Sequence, residues 1–263
     1  TIQVVRWNND AVTLAVATVT RYVALINTKT GTTTWLDNSP GAPGTDNGSR
    51  AMSWHPDGNL LAVGGMDGLI RIWDKNGRLI RTINKYPPGT DYTGYLALDW
   101  HPSGTQFVAG NFEIVIYDTT GKTLSVMQHA NPAAIILCAR WHPSGGFFVV
   151  GDYGHNWEGE NVPSLLHFWS KEGQLLKTIK SSNGEYRSIA WSPDGKYLAT
   201  ASDVLRIWNK DGTLVHQSPS DGSNYLWGIS WHPSGKNIVT TSRHRSITRW
   251  TATAKNKKRI WVK

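Results

Sequence analysis

A five-residue string returns along this chain and limits what it can fold into. WHPDG stands at 54–58, WHPSG at 100–104, 141–145 and 231–235, and WSPDG at 191–195. The same pattern extended backwards finds Trp7 in VVRWNND. Trp7, Trp54, Trp100, Trp141, Trp191 and Trp231 follow one another at 47, 46, 41, 50 and 40 residues. A period in this range marks an array of small units that bury a core only by stacking on their neighbours.

The fifth unit, YRSIAWSPDGKYLATASDVLRIWNKDGTLVHQS, is the plainest. RSIAW, YLATAS, LRIWN and TLVHQ are rich in β-branched and aromatic residues, with SPDG, SDV and NKDG between them. That is the pattern of four strands joined by tight turns, and no stretch carries a helical period of useful length. One such sheet cannot bury both faces. Copies set around an axis can, and the arrangement protects most strand edges.

GLIRIWD at 68–74 carries the Trp-Asp pair of the WD-repeat β-propellers, which this chain resembles. The equivalent pairs are Tyr117-Asp118, Trp169-Ser170, Trp208-Asn209, Trp250-Thr251 and, in the first unit, Ile26-Asn27. The resemblance implies an all-β fold, a β-propeller of six four-stranded blades, or part of a seven-bladed or longer propeller. The blades fall at approximately 1–37, 49–83, 95–128, 135–180, 186–218 and 226–263 of a single domain, 1–263. None of the repeats has, just before its innermost strand, the Gly-His that family repeats often carry there, so the family's His–Ser–Trp–Asp network is expected to be absent or rewired. Both end blades look complete, so a latch mixing strands from the two termini is not evident.

The repeated histidine invites a metal or catalytic reading. In HPSG, however, proline presets φ, a small polar residue follows and glycine accepts a positive φ, which is turn chemistry. His55, His101, His142 and His232 occupy one position in four different blades. They should not converge to the 2.0–2.1 Å that zinc requires of its nitrogens. They are expected to cap their own turns, as Ser192 does in the fifth copy. The motif tryptophans are expected to be core anchors.

The chain carries no motif of a known chemistry. No Gly-rich phosphate loop, nucleophile elbow or HExxH helix is present, so no catalytic residue, cofactor or metal is expected. Asp152, His155, Glu158 and Glu160 have no spacing that fixes a metal site. The single Cys138 excludes an internal disulfide or a cysteine-cluster site and fits a cytoplasmic setting. No apolar run approaches the roughly 18 residues of a membrane span, and TIQVVRWNND lacks a signal-peptide profile.

What the repeat does not require points to binding. GDYGHNWEGENVPS at 151–164 replaces a link that is two to four residues long in other blades. Insertions of this kind often map to a binding face. The inter-blade links open on that face as well. Trp157, Trp227, Tyr153, His155, Tyr186, Arg187, Arg50, Tyr95 and Tyr225 are therefore the candidate contact residues for a protein or peptide partner, since Tyr, Trp and Arg dominate interface hot spots. The expected role is a non-catalytic interaction scaffold.

An alternative rests on charge. The net charge of +8 comes from one end: residues 231–263 hold nine basic residues and no acidic one. Arg243, Arg245, Arg249, Lys255, Lys257, Lys258, Arg259 and Lys263 could form a patch for nucleic acid or another polyanion. A second alternative, a carbohydrate-binding or hydrolytic propeller, rests on the aromatic links and the loop carboxylates.

Overall fold

A computed structural model of the chain describes residues 2–38, 48–85, 94–129, 134–154, 163–182, 184–219, 225–255 and 257–262. The fold is all-β: six antiparallel sheets of four strands, each paired in chain order. The first sheet runs Ile2–Trp7, Thr13–Thr18, Tyr22–Asn27 and Thr33–Asp37, and the last Leu226–Trp231, Asn237–Ser242, Ser246–Thr251 and Lys257–Val262. These are the blades that the repeat predicts. The chain divides into two compact units, 1–127 and 128–263, with three blades in each.

The cores lie between consecutive blades. In the first unit, Ala15, Ala17, Val23, Leu25 and Leu36 of the first blade close over Met52, Trp54, Leu61 and Val63 of the second. In the second unit, Leu205 and Ile207 of the fifth blade meet Leu226, Trp231 and Trp250 of the sixth. The small residues of one blade make room for the tryptophan of the next. Each apolar Å² removed from water contributes about 25 cal/mol.

Trp7 departs from the expected pattern. Trp54, Trp100, Trp141 and Trp231 are buried and Trp191 is half-buried, whereas Trp7 is 57% exposed, together with Ile2 and Val5 on its strand. Trp54, Trp100 and Trp231 each pack on the blade before them, and the face of the first blade that bears Trp7 has no such cover in its unit.

The WHPSG strings form the turns expected of them. Gly58, Gly104, Gly145, Gly195 and Gly235 all have φ between 69° and 75°, where only glycine is unstrained. The histidine caps its own turn: its Nδ1 accepts the backbone N–H two residues on, from Asp57, Ser103, Ser144 and Ser234 in the four copies. His55 and His142 also reach beyond their own blade. His55 Nε2 donates to Gly104 O at 2.9 Å and His142 Nε2 to Gly195 O at 2.8 Å. Asn8 takes this role in the first blade, bonding Gly58 O at 2.9 Å.

The family's polar network is rewired rather than absent. Trp208 and Trp250 donate to Thr200 and Thr240 on the neighbouring strand, whereas Trp73 donates to Asn38 from an inter-blade link. An acid beside the second-to-third-strand turn meets a base from the third strand in Asp67–Arg71 and Asp203–Arg206.

Candidate functional site

The candidate contact surface takes shape in the second unit, from the register of the repeat. Counting back from the motif tryptophan, the residue five positions before it is buried in every blade after the first: Ser49, Tyr95, Ile136, Tyr186 and Leu226. The residue four positions before it turns outward: Arg50, Leu96, Leu137, Arg187 and Trp227 are half-buried or exposed. Arg187 and Trp227 hold the same position in consecutive blades, and so they meet.

The Arg187 guanidinium carbon stands 4.8 Å from the centroid of the Trp227 ring. Glu185 pairs with the Arg187 Nε and orients the group. Trp227 and Tyr225 are each 47% exposed, although their backbone is fixed by the Leu226 N–H bond to Ser202 O and the Arg243 N–H bond to Tyr225 O. The Tyr225 ring lies on Gly184, where an added Cβ would come within 2.8 Å of it. The result is an aromatic–guanidinium platform, half desolvated and held from below. A stacked Arg–Trp pair at such a site contributes about 0.5–1 kcal/mol and can hand its flat face to a ligand.

The turn beneath the platform is rigid. Arg206 Nη1 and Nη2 bind Asp203 at 2.6 and 3.1 Å, and Ser182 Oγ donates to Asp203 Oδ1 at 2.9 Å. Burial acts to raise the Asp203 pKa, but the Arg206 hydrogen bonds and charge outweigh it, so the carboxyl sits below its ordinary value.

Other predicted contact residues fall elsewhere. Tyr95 and Tyr186 are core residues, with 1% and 0% exposure, and cannot meet a partner. Each lays its Cβ against a glycine of the preceding blade, Gly64 and Gly151 respectively, and uses its hydroxyl internally, on Tyr117 and Ser181. Burial pushes the Tyr186 hydroxyl up to about 12. Tyr153 is half-buried at the end of its strand. Arg50 is exposed in the first unit. Trp157, His155 and Lys263 lie outside the described residues. Arg243, Arg245, Arg249, Lys255, Lys257, Lys258 and Arg259 are all exposed.

One group missed in the sequence has the donor types of a metal centre. His129 of the link and Asp152 and His167 of the fourth blade are buried with ligand atoms within 4.8 Å of one another. His129 Nε2 lies 2.9 Å from Asp152 Oδ2, the two imidazoles pack edge to face at 4.3 Å, and Leu165 N–H occupies Asp152 Oδ1. Burial, with the His129 charge beside it, pulls His167 down to about 4. Donors sharing one zinc at 2.0–2.1 Å would stand within about 3.4 Å of each other in tetrahedral geometry, and a closed site needs four. The group matches the acid–base pairs of the second and fifth blades, with His129 standing in the place of the arginine, from the link. The spacing of QHANPAA from GDYGHN and LLHFW carried this signal.

The comparisons with known proteins agree with the fold. The family model described as WD domain, G-beta repeat matches residues 43–74 and 212–251. The one described as Eukaryotic translation initiation factor eIF2A matches residues 90–229, more than half of the chain. Among curated proteins, the transcriptional corepressor LEUNIG_HOMOLOG of Arabidopsis thaliana is 23% identical over 206 residues, covering 76% of this chain and 24% of that protein. The protein transport protein sec13 of Aspergillus fumigatus is 30% identical over 113 residues, covering 38% of this chain and 36% of its own length. The chain therefore spans well under half of either relative. A solved chain from a structure described as Crystal Structure of Mitotic Checkpoint Complex superimposes with a TM-score of 0.78 at 19% identity, covering 98% of this chain and 78% of that one. The fold is that of a six-bladed β-propeller.

Proposed function

Because the chain belongs to the WD-repeat β-propeller family, and its residues 90–229 to the family described as eukaryotic translation initiation factor eIF2A, we propose that it is a non-catalytic scaffold that holds a protein or peptide partner on the face carrying the inter-blade links. The observation that carries this reading is the Arg187–Trp227 stack. Its residues are not needed by the repeat, are half exposed, and are the types that dominate interface hot spots. The relatives support the same class of role, since a corepressor and a transport protein by name act with other proteins.

The test is affinity capture from native lysate with mass spectrometry, comparing the wild type with Trp227→Ala and Arg187→Ala. Loss of the same captured proteins from both folded variants supports the platform. Identical capture by all three proteins removes it.

A second reading is favoured by the last blade. Among the described residues, Arg243, Arg245, Arg249, Lys258 and Arg259 are exposed and none is in an ion pair. Binding to RNA or another polyanion would weaken steeply with salt because phosphate contacts release counterions. Titrating RNA at two salt concentrations separates the two readings.

A further inference from the structure

The repeat has one vacancy in the second unit. Ten residues after the third-strand aromatic, or after Ile26 in the first blade, the fourth strand carries a large apolar side chain: Leu36, Ile83, Met127 and Ile179. The strand register puts Leu36 opposite Val23, Ile83 opposite Ile70 and Ile179 opposite Leu166. In the fifth blade that position is Ser218, whose N–H bonds Leu205 O at 2.9 Å and so keeps the same register. A serine cannot fill the space of an isoleucine. The fold shows a slot there of about 290 Å³, walled by Val204, Leu226 and Trp250. Collapse is opposed because the Trp250 indole is fixed by its 2.8 Å bond to Thr240 Oγ1.

The lip of this slot is positive. Lys257 and Arg259 line it from alternate positions of the last strand, so they stand on one side of it, opposite Trp250 and Thr248 in the register. Asp203 also lines it, but both of its carboxylate oxygens are engaged by Arg206. The hydroxyls of Ser242, Ser246 and Thr248 complete the lining. The surrounding blade has no acidic residue from 231 to 263.

We propose that this slot docks a short acidic segment of a protein partner. An aliphatic side chain of the segment enters where Ser218 leaves room, and flanking carboxylates meet Arg259 and Lys257. The site is separate from the Trp227 platform, and its occupant is defined by charge complementarity: apolar within, anionic at the lip.

The repeat itself supplies the test. Ser218→Ile restores the residue type of the other blades, so the variant is expected to fold with equal or higher thermal stability while filling the slot. The probe is a fluorescein-labelled peptide, Glu-Asp-Glu-Leu-Asp-Glu, read by anisotropy against the full chain. Saturable binding is expected, weakened at least about tenfold by Ser218→Ile, by Arg259→Glu, or by serine in place of the peptide's leucine, and unchanged by Trp227→Ala. The proposal is overturned if the wild type shows no saturable binding, or if Ser218→Ile binds as well as the wild type. It is equally overturned if that variant fails to fold, or if the serine peptide binds equally and an RNA oligonucleotide displaces it, which would leave a general polyanion surface.

Discussion

His142 donates from Nε2 to the backbone carbonyl of Gly195 at 2.8 Å, so the inner turn of the fourth blade is tied to the inner turn of the fifth. The acceptor is a carbonyl and Nδ1 already accepts the Ser144 N–H, so Nε2 is the ring's donor in this contact. The ring also stacks on Phe147 at 4.5 Å and meets Trp191 edge to face at 4.7 Å. His232 occupies the same place in the last blade, but it is exposed and its hydrogen bonds stay within its own turn. His142→Ala is therefore expected to cost about 2–3 kcal/mol, through a buried hydrogen bond and two ring contacts, and His232→Ala less than about 1. Urea denaturation of both variants checks the difference, and equal costs would mean that the inter-blade bond contributes nothing.

The same contrast applies to the motif tryptophans. Trp54 is 8% exposed and its indole N–H donates to Arg6 O at 3.2 Å, whereas Trp7 is 57% exposed. Trp54→Ala should destabilise the first unit by about 3–5 kcal/mol, the usual range for a buried aromatic, and Trp7→Ala by about 1 or less. Tryptophan fluorescence provides a second readout: Trp7→Ala should remove a red-shifted, readily quenched component, and Trp54→Ala a blue-shifted one.

Strands were legible in this chain because alternation and turn chemistry are local. Leu14–Ile26 and Trp7–Leu14 pairings follow once the turns are placed. Burial was less legible, because it depends on what covers a face and not on the residue that stands there. Trp7 looks like Trp54 in sequence and differs only in its neighbour. Tyr95 and Tyr186 looked like rim aromatics because they sit in links; their distance of five residues from the motif tryptophan, shared with Ile136 and Leu226, was the better guide. Likewise Arg187 and Trp227 were both conspicuous, but their contact follows from their equal place in consecutive repeats. Ser218 was silent until its position was compared across blades.

His167 gives the second unit an acid-sensitive core. Burial, then the neighbouring His129 charge, lowers its pKa from 6.5 to about 4, so the imidazole is neutral in the fold. The unfolded chain takes up the proton at its ordinary value, and therefore binds more protons than the fold between these two limits. Stability is complete above about pH 6.5 and falls as the pH drops toward 4. His167→Gln removes this titration while keeping a polar side chain beside Thr178. Guanidinium midpoints measured at pH 7, 6 and 5 should decline more steeply in the wild type than in the variant, and parallel declines would rule out the buried neutral imidazole.

Cys138 offers a reporter of opening in the same unit. Its thiol is buried and donates to Tyr186 O at 3.1 Å, and burial pushes its pKa up to about 12. The thiolate is the reactive form, so the native thiol should be inert near neutral pH and react only when the packing opens. The sign of the pH effect follows from the raised value. Below the ordinary 9.0 the thiol is neutral in both states and the full contribution to stability is present; it is lost as the pH rises from there toward 12. Iodoacetamide at pH 8 should leave the native protein unlabelled over hours, and sub-denaturing urea should raise the labelling rate in step with loss of stability. Rapid stoichiometric labelling of protein whose circular dichroism is unchanged would show that Cys138 is accessible in the folded state, and that the Gly151–Tyr186 packing around it is not closed.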